Sequence, residues 1–320
     1  MRRDQREQEE QEERREQKEQ REKRERIIFK RIENDDIKAA VEKTLNLLKP
    51  KLPKEILVKP NLVEGAPPGK SISTNVNVLI TLIEWLREKG AKKIVLADSS
   101  SHRDTQREYL KAGYSKLNPL IDSFVDLNND PKGYIKIKVL KYLEWPEFEI
   151  AKTFADAKYV IHVPVAKCHH IVGLTCAIKG LLGVIAPRGF VSTKDYMHRE
   201  WTYLLAARSK AKELFERRLI DLLCAVSSLN QQGFVLVDGS YCCEVYESSH
   251  DVKKTDFILA SEDMIAADVV AAKVLGFEKE ELPYLQLAQK QLGRRRIQLA
   301  GEKPKNFHIR KPSGWAKLRP

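Results

Sequence analysis

Short, unbroken apolar runs alternate along the chain with longer segments in which apolar residues recur every three or four positions. The unbroken runs, rich in Val and Ile, predict strands buried on both faces at EILVKP (55–60), KKIVLAD (92–98), KYVIHVPV (158–165), GFVLVDG (233–239) and DFILAS (256–261). Weaker runs at IIFKRI (27–32), YIKIKVL (134–140) and NFHIRK (306–311) predict minor strands. The three-and-four spacing predicts helices over 35–49, 75–89, 104–112, 199–230, 263–275 and 281–292. In the second of these Val78, Leu79, Leu82, Ile83 and Leu86 share a face, and Gly90 stands where it can cap the end. Strands followed by helices predict an α/β protein with a mostly parallel, doubly wound sheet and helices on both faces. Residues 27–311 read as a single domain with excursions at 113–150 and 187–200.

Outside that domain the pattern fails. Residues 1–26 hold no apolar residue after Met1, and their ten basic and ten acidic side chains cancel. Glu, Gln, Arg and Lys favour helix, and without an apolar stripe such a helix cannot pack on a core. A charged, solvated helical appendage is the expectation. Residues 312–320 read as a basic C-terminal tail.

The chain has 320 residues, 42% hydrophobic and 32% charged, enough for one large α/β domain. No stretch approaches the roughly 20 apolar residues that span a bilayer. The N-terminus has no apolar signal-peptide core, so a cytoplasmic location without membrane contact is expected. Cys168, Cys176, Cys224, Cys242 and Cys243 form neither a disulfide framework nor the spaced set that an integral iron–sulfur cluster needs. The net charge of +12 is concentrated late: residues 291–320 carry nine basic groups against Glu302 alone. Arg294, Arg295, Arg296 and Lys311, with Trp315 interspersed, could neutralise phosphates and stack on bases of RNA or the ribosome. The sequence does not set the oligomeric state.

Between Val58 and Thr74 the chain reads VKPNLVEGAPPGKSIST, ending in the Gly-Lys-Ser of a nucleotide-binding loop. The first glycine of such a loop would have to be residue 64, which is Glu64, and Pro67 and Pro68 lack the N–H donors that cradle phosphate. A turn leading to a helix capped near Ser73 or Thr74 is the simpler reading. The strand ends carry more information. Lys59 and Asn61, Asp98 and Ser99, Lys167 and His169, Asp238, and Ser261 with Glu262 and Asp263 all follow predicted strands. In open α/β sheets ligands bind beyond the carboxyl ends of the strands. These groups therefore predict one crevice for a small phosphate- or carboxylate-bearing ligand. Lys59, Lys167 and Lys179 would neutralise it, and Asn61, Ser99 and Thr175 would orient it. His169 is the natural general acid or base, with Asp98 or Asp238 as its carboxylate partner. A divalent metal is a second use of the same residues, through His169 with His198 or Asp238.

The blocks VKPNLV, STN, ADSS, AGY, VAKCHHIVGLTCAIKGLLG, MH, VDG and ASEDMIAADVVAAKVLG, closing on IQLAGEKPKNFHI, resemble the domain-of-unknown-function 362 family over about residues 53–310. The resemblance implies an α/β fold without a settled activity. It also implies relatives fused to a ferredoxin-like iron–sulfur module, hence a third reading as the redox partner of an iron–sulfur protein. Two blocks depart from the family pattern: Lys179 is followed by Gly180 rather than Asn, and SYCCEVYESS (240–249) replaces a Gly-rich stretch.

Overall fold

The computed structural model describes residues 22–188, 193–198 and 208–312. Twelve strands lie among them: β1 (Glu22–Arg31), β2 (Glu55–Pro60), β3 (Lys93–Asp98), β4 (Ser123–Asp126), β5 (Tyr134–Lys138), β6 (Glu147–Ala151), β7 (Tyr159–Val163), β8 (Lys167–His169), β9 (Gly173–Thr175), β10 (Gln232–Cys243), β11 (Val252–Ser261) and β12 (Arg294–Gly301). The α-helices are α1 (Ile37–Leu48), α2 (Val76–Glu88), α3 (Thr105–Lys111), α4 (Lys152–Ala155), α5 (Ala177–Gly180), α6 (Arg208–Ser227), α7 (Met264–Val274) and α8 (Pro283–Leu292).

Eight strands form the central sheet in the order β12-β1-β11-β10-β7-β2-β3-β4. Only β11 runs against the others; it pairs antiparallel with both β1 and β10. The strands divide their side chains between two cores. Ile56, Val58, Ile94, Leu96, Ile161 and Val163 face the side covered by α1, α2 and α3. Leu57, Ala97, Val160, Val235 and Val237 face the side covered by α6, α7 and α8. Both faces are thus dry, and this is why the strands read as unbroken apolar runs.

The chain leaves β2 through α2 to β3, on one side of the sheet, and leaves β7 through α6 to β10, on the other. The order therefore diverges between the neighbours β2 and β7. At such a switch point the two connections part and open a crevice beyond the strand ends.

Three expectations change. The first strand begins at Glu22, so residues 22–26 are extended rather than helical; residues 1–21 lie outside the described residues. Residues 306–311 form no strand, and the edge strand is instead β12, where the arginine run masks an alternation in which Arg295 and Ile297 turn inward. The helix expected over 199–230 is described only from Arg208 to Ser227. Among the described residues no helix is long and apolar enough to cross a membrane.

Candidate functional site

The crevice is built on the stretch after β2. Asn61 N–H donates to Thr74 Oγ1 at 2.9 Å, and that hydroxyl donates to the Val163 carbonyl at 2.6 Å, tying the ends of β2 and β7 to the start of α2. Asn75 then caps α2, its side chain accepting from Asn77 N–H at 3.0 Å. The intervening loop is pinned to β10: Ser71 Oγ donates to the Tyr241 carbonyl at 2.7 Å, and Cys243 Sγ donates to the Lys70 carbonyl at 2.9 Å. Gly69-Lys70-Ser71 is thus an anchored loop.

Behind the crevice lies a buried ion pair. Lys59 Nζ meets Asp98 Oδ1 at 2.8 Å, both side chains 2% exposed, and Asp98 Oδ2 accepts the Leu62 N–H at 2.8 Å. Burial pushes the Asp98 carboxyl up, and Lys59 pulls against it. Gly183 packs against the pair; a Cβ there would fall 2.1 Å from Asp98 Oδ1 and 2.8 Å from Lys59 Nζ.

The hairpin of β8 and β9 forms another wall. Lys167 stands opposite Thr175, and His169 opposite Gly173. Alternation along a strand puts Lys167 and His169 on one side and Cys168 on the other, where its thiol approaches the Arg310 carbonyl. Lys167 Nζ donates to the Ile72 carbonyl at 2.6 Å, and burial pushes its pKa down to about 8. Thr175 Oγ1 is buried and has no hydrogen-bond partner among the described residues. Lys179, on α5, makes no hydrogen bond or ion pair among the described residues; burial lowers its pKa, and Glu247 pulls the other way.

Glu247, in the connection from β10 to β11, closes the site. Its Oε1 lies 3.4 Å from His169 Nε2, and its Oε2 lies 2.8 Å from His170 Nδ1. His169 Nδ1 accepts the backbone N–H groups of Ile171 and Val172 at 3.1 and 3.3 Å. A neutral ring that accepts at Nδ1 carries its proton on Nε2, facing the carboxylate. Burial, the largest influence on His169, holds its pKa well below the ordinary histidine range, so the ring is neutral. Burial also opposes the Glu247 charge, but the imidazoles of His169 and His170 and the Lys179 ammonium outweigh it and keep the carboxylate ionised. His198 stacks on Phe215 at 4.4 Å and faces His169 at 6.4 Å.

These walls enclose a cavity of about 280 Å³. Asn61, Asp98, Ser99, Lys167, His169, Thr175, Lys179 and His198, all expected from sequence, line it together. Lys59 stands behind Asp98. Asp238 is a correction: Oδ2 accepts Asn75 N–H at 2.8 Å, and Oδ1 accepts from Ser240 N–H and Oγ at 3.0 and 2.6 Å. It latches β10 to the start of α2 and is outside the cavity lining, so it partners neither His169 nor a metal there. Asp238→Asn is expected to cost about 1–2 kcal/mol in urea unfolding, the loss of one buried hydrogen bond. It should leave anion-induced stabilisation at the parent value.

Sequence reasoning missed Glu247, Lys194 and the Ser100-Ser101 extension of the Ser99 wall. Lys194 lies in the excursion after α5, donates to Asn128 Oδ1 at 3.1 Å and to the Ile185 carbonyl, and is pushed down to about 7 by burial. The only available signal for Glu247 was its place, with Glu244, as one of two acids in the segment that departs from the family pattern. The ligand atoms of His169, His170 and Glu247 lie within 4.8 Å of one another, a group that could hold a metal ion. In the arrangement described, His170 Nδ1 is hydrogen-bonded to Glu247 Oε2 and His169 Nε2 lies 3.4 Å from Oε1, so a cation on His169 Nε2 would have to displace its proton.

Of the expected nucleic-acid residues, two are committed elsewhere. Arg295 Nε binds Asp263 Oδ2 at 2.8 Å, with the Arg295 side chain 5% exposed, and Lys311 binds Glu281 at 2.5 Å. Trp315 lies outside the described residues.

Fold and site together define an α/β protein with a cation-lined cavity at a switch point of its sheet. The chain belongs to the domain of unknown function DUF362 family, whose sequence profile matches residues 56–273. A thylakoid-associated protein of Synechocystis sp. is 23% identical over 243 residues, covering 74% of this chain and 68% of that one. Two solved structures are also similar. A crystal structure of a Thermotoga maritima protein superposes with a TM-score of 0.48 at 15% identity, over 80% of this chain and 59% of its own. The lactate racemase apoprotein from Thermoanaerobacterium thermosaccharolyticum gives a TM-score of 0.46 at 17% identity, over 80% and 58%. This chain thus spans less than two thirds of either solved protein.

Proposed function

We propose that the cavity binds a small carboxylate- or phosphate-bearing molecule, its anionic group held between Lys179, Lys167 and the Thr175 hydroxyl. One observation carries the reading: among the described residues, an ammonium without a hydrogen-bond or ion-pair partner and a buried hydroxyl without one line the same cavity. A buried polar group left unsatisfied costs about 1–3 kcal/mol, and an anion would satisfy both at once. The opposite wall suits a ligand that donates hydrogen bonds. Ser99, Ser100 and Ser101 spend their hydroxyl protons on the carbonyls of Gly183, His102 and Val63, leaving oxygen lone pairs as acceptors. Between the two walls, the neutral His169 with a proton on Nε2 can donate a hydrogen bond to the bound molecule, and the ionised Glu247 can accept one.

Thermal and urea unfolding with inorganic phosphate and with malonate tests the reading. At ten times its dissociation constant a single-site ligand stabilises by about 1.4 kcal/mol. The parent should show this with at least one of the two anions, and Lys179→Met and Thr175→Val should lose it. Lys179→Met without anion should stay within about 1 kcal/mol of the parent, because the half-buried ammonium makes no hydrogen bond or ion pair among the described residues and only its longer-range attraction to Glu247 is lost. Stabilisation should also fade as pH rises through about 8, where Lys167 loses its proton. No response of the parent to either anion, or an equal response of Lys179→Met, overturns the proposal.

A further inference from the structure

The first five residues of β1 reach beyond the sheet. β1 pairs with β11 only from Ile27 onward, whereas its ladder with β12 starts at Glu22 opposite Arg294. Glu22–Arg26 and Arg294–Gln298 therefore form a two-stranded parallel ribbon about 16 Å long, at about 3.3 Å per residue. Its inner side is committed to the body through Arg295, bound to Asp263, and the half-buried Ile297. Its outer side carries Arg24, Arg26, Arg294 and Arg296, all exposed.

In the ladder Arg24 stands opposite Arg296, and Arg26 opposite Gln298. Like charges directly opposite on a strand pair repel. None of the four outer arginine side chains makes an ion pair or hydrogen bond among the described residues. The fold thus assembles a row of four guanidinium groups, with Glu22 opposite Arg294 as the one acid in register with it, from two segments about 270 residues apart, with about 6.6 Å between successive arginines of one strand. Guanidinium forks match phosphate oxygens, and a two-stranded ribbon fits a major groove about 12 Å wide. No aromatic residue lies in the ribbon, so it offers no platform for unpaired bases.

We propose that this ribbon binds the phosphate backbone of double-stranded DNA, independently of any ligand in the cavity. The binding is sequence-tolerant, because contacts to phosphates carry no base information. It corrects the basic-tail expectation by removing Arg295 and Lys311 from the contact surface and adding Arg24 and Arg26.

Fluorescence anisotropy with a short labelled DNA duplex, titrated across salt concentration, tests it in the full-length protein. Four phosphate contacts give a slope of log affinity against log salt near −3.6, about −0.9 for each contact. Arg24→Gln with Arg296→Gln should reduce the slope by about 1.8, and changing all four outer arginines to Gln should abolish duplex binding. All variants should keep the parent's thermal midpoint, since these side chains are exposed. Unchanged affinity and slope in the fourfold variant would overturn the proposal. So would tighter binding to poly(dT) than to duplex, or binding to phosphatidylserine vesicles without binding to DNA.

Discussion

Asp98→Ala is expected to lower the free energy of unfolding by about 3–5 kcal/mol, the cost of leaving one member of a buried ion pair without its partner. The stranded charge would be Lys59, which is 2% exposed and whose remaining hydrogen bond runs to the Pro60 carbonyl at 3.3 Å. The Leu62 N–H would lose its acceptor at the same time. Urea unfolding of Asp98→Ala, Lys59→Met and the double variant Lys59→Met/Asp98→Leu measures the effect. The double variant should recover most of the loss, because replacing both charges by apolar groups removes the desolvation cost along with the attraction. If Asp98→Ala costs less than about 1 kcal/mol, the pair is no tighter than one on the surface.

Below pH 6.5 the imidazole of His162 should work against the fold. Burial, with Lys59 nearby, pushes its pKa down to about 3. The folded state therefore keeps it neutral while the unfolded chain takes up a proton. The stability it contributes is fully present above about pH 6.5 and is lost as pH falls toward 3, by about 1.4 kcal/mol per unit. His162 sits in β7 beside Phe154 and lines a crevice with Glu262, Asp263 and Arg295. The carboxyls of Asp98, Asp238 and Asp268 are raised by burial and titrate in the opposite sense, so the whole-protein profile does not isolate one ring. The difference between variants does. Relative to the parent, His162→Phe and His162→Gln should each gain about 2 kcal/mol on going from pH 7 to pH 5. A packing defect would shift stability equally at both values. A constant difference across the range would show that His162 is protonated in the fold.

The parallel core was legible because strands covered on both faces must be apolar at every position. The run 55–60 coincides with β2, and the helix expected over 75–89 is Val76–Glu88. The edges were harder to see. β12 has one side in solvent and three arginines at its start, so its period of two carries almost no hydrophobic signal. β8 and β9 have three residues each, too few for any periodicity, although they carry Lys167, His169 and Thr175. Eight of the residues that line the cavity could be found because strand ends in such a sheet converge. Their roles could not. Asp98 and Asp238 look alike in sequence, yet Asp98 borders the cavity and Asp238 is spent on backbone amides and Ser240. Glu247 meets a histidine 78 positions away in the chain, a partnership that only the fold creates.

Because the hairpin of β8 and β9 is so short, its register decides the chemistry of the whole wall. Sliding β8 by a single position would turn Cys168 inward and drive Lys167 and His169 into hydrocarbon, and sliding β9 would exchange Leu174 and Thr175 in the same way. The bend from His170 to Val172 must therefore hold its length through evolutionary drift, even where individual side chains within it are free to vary.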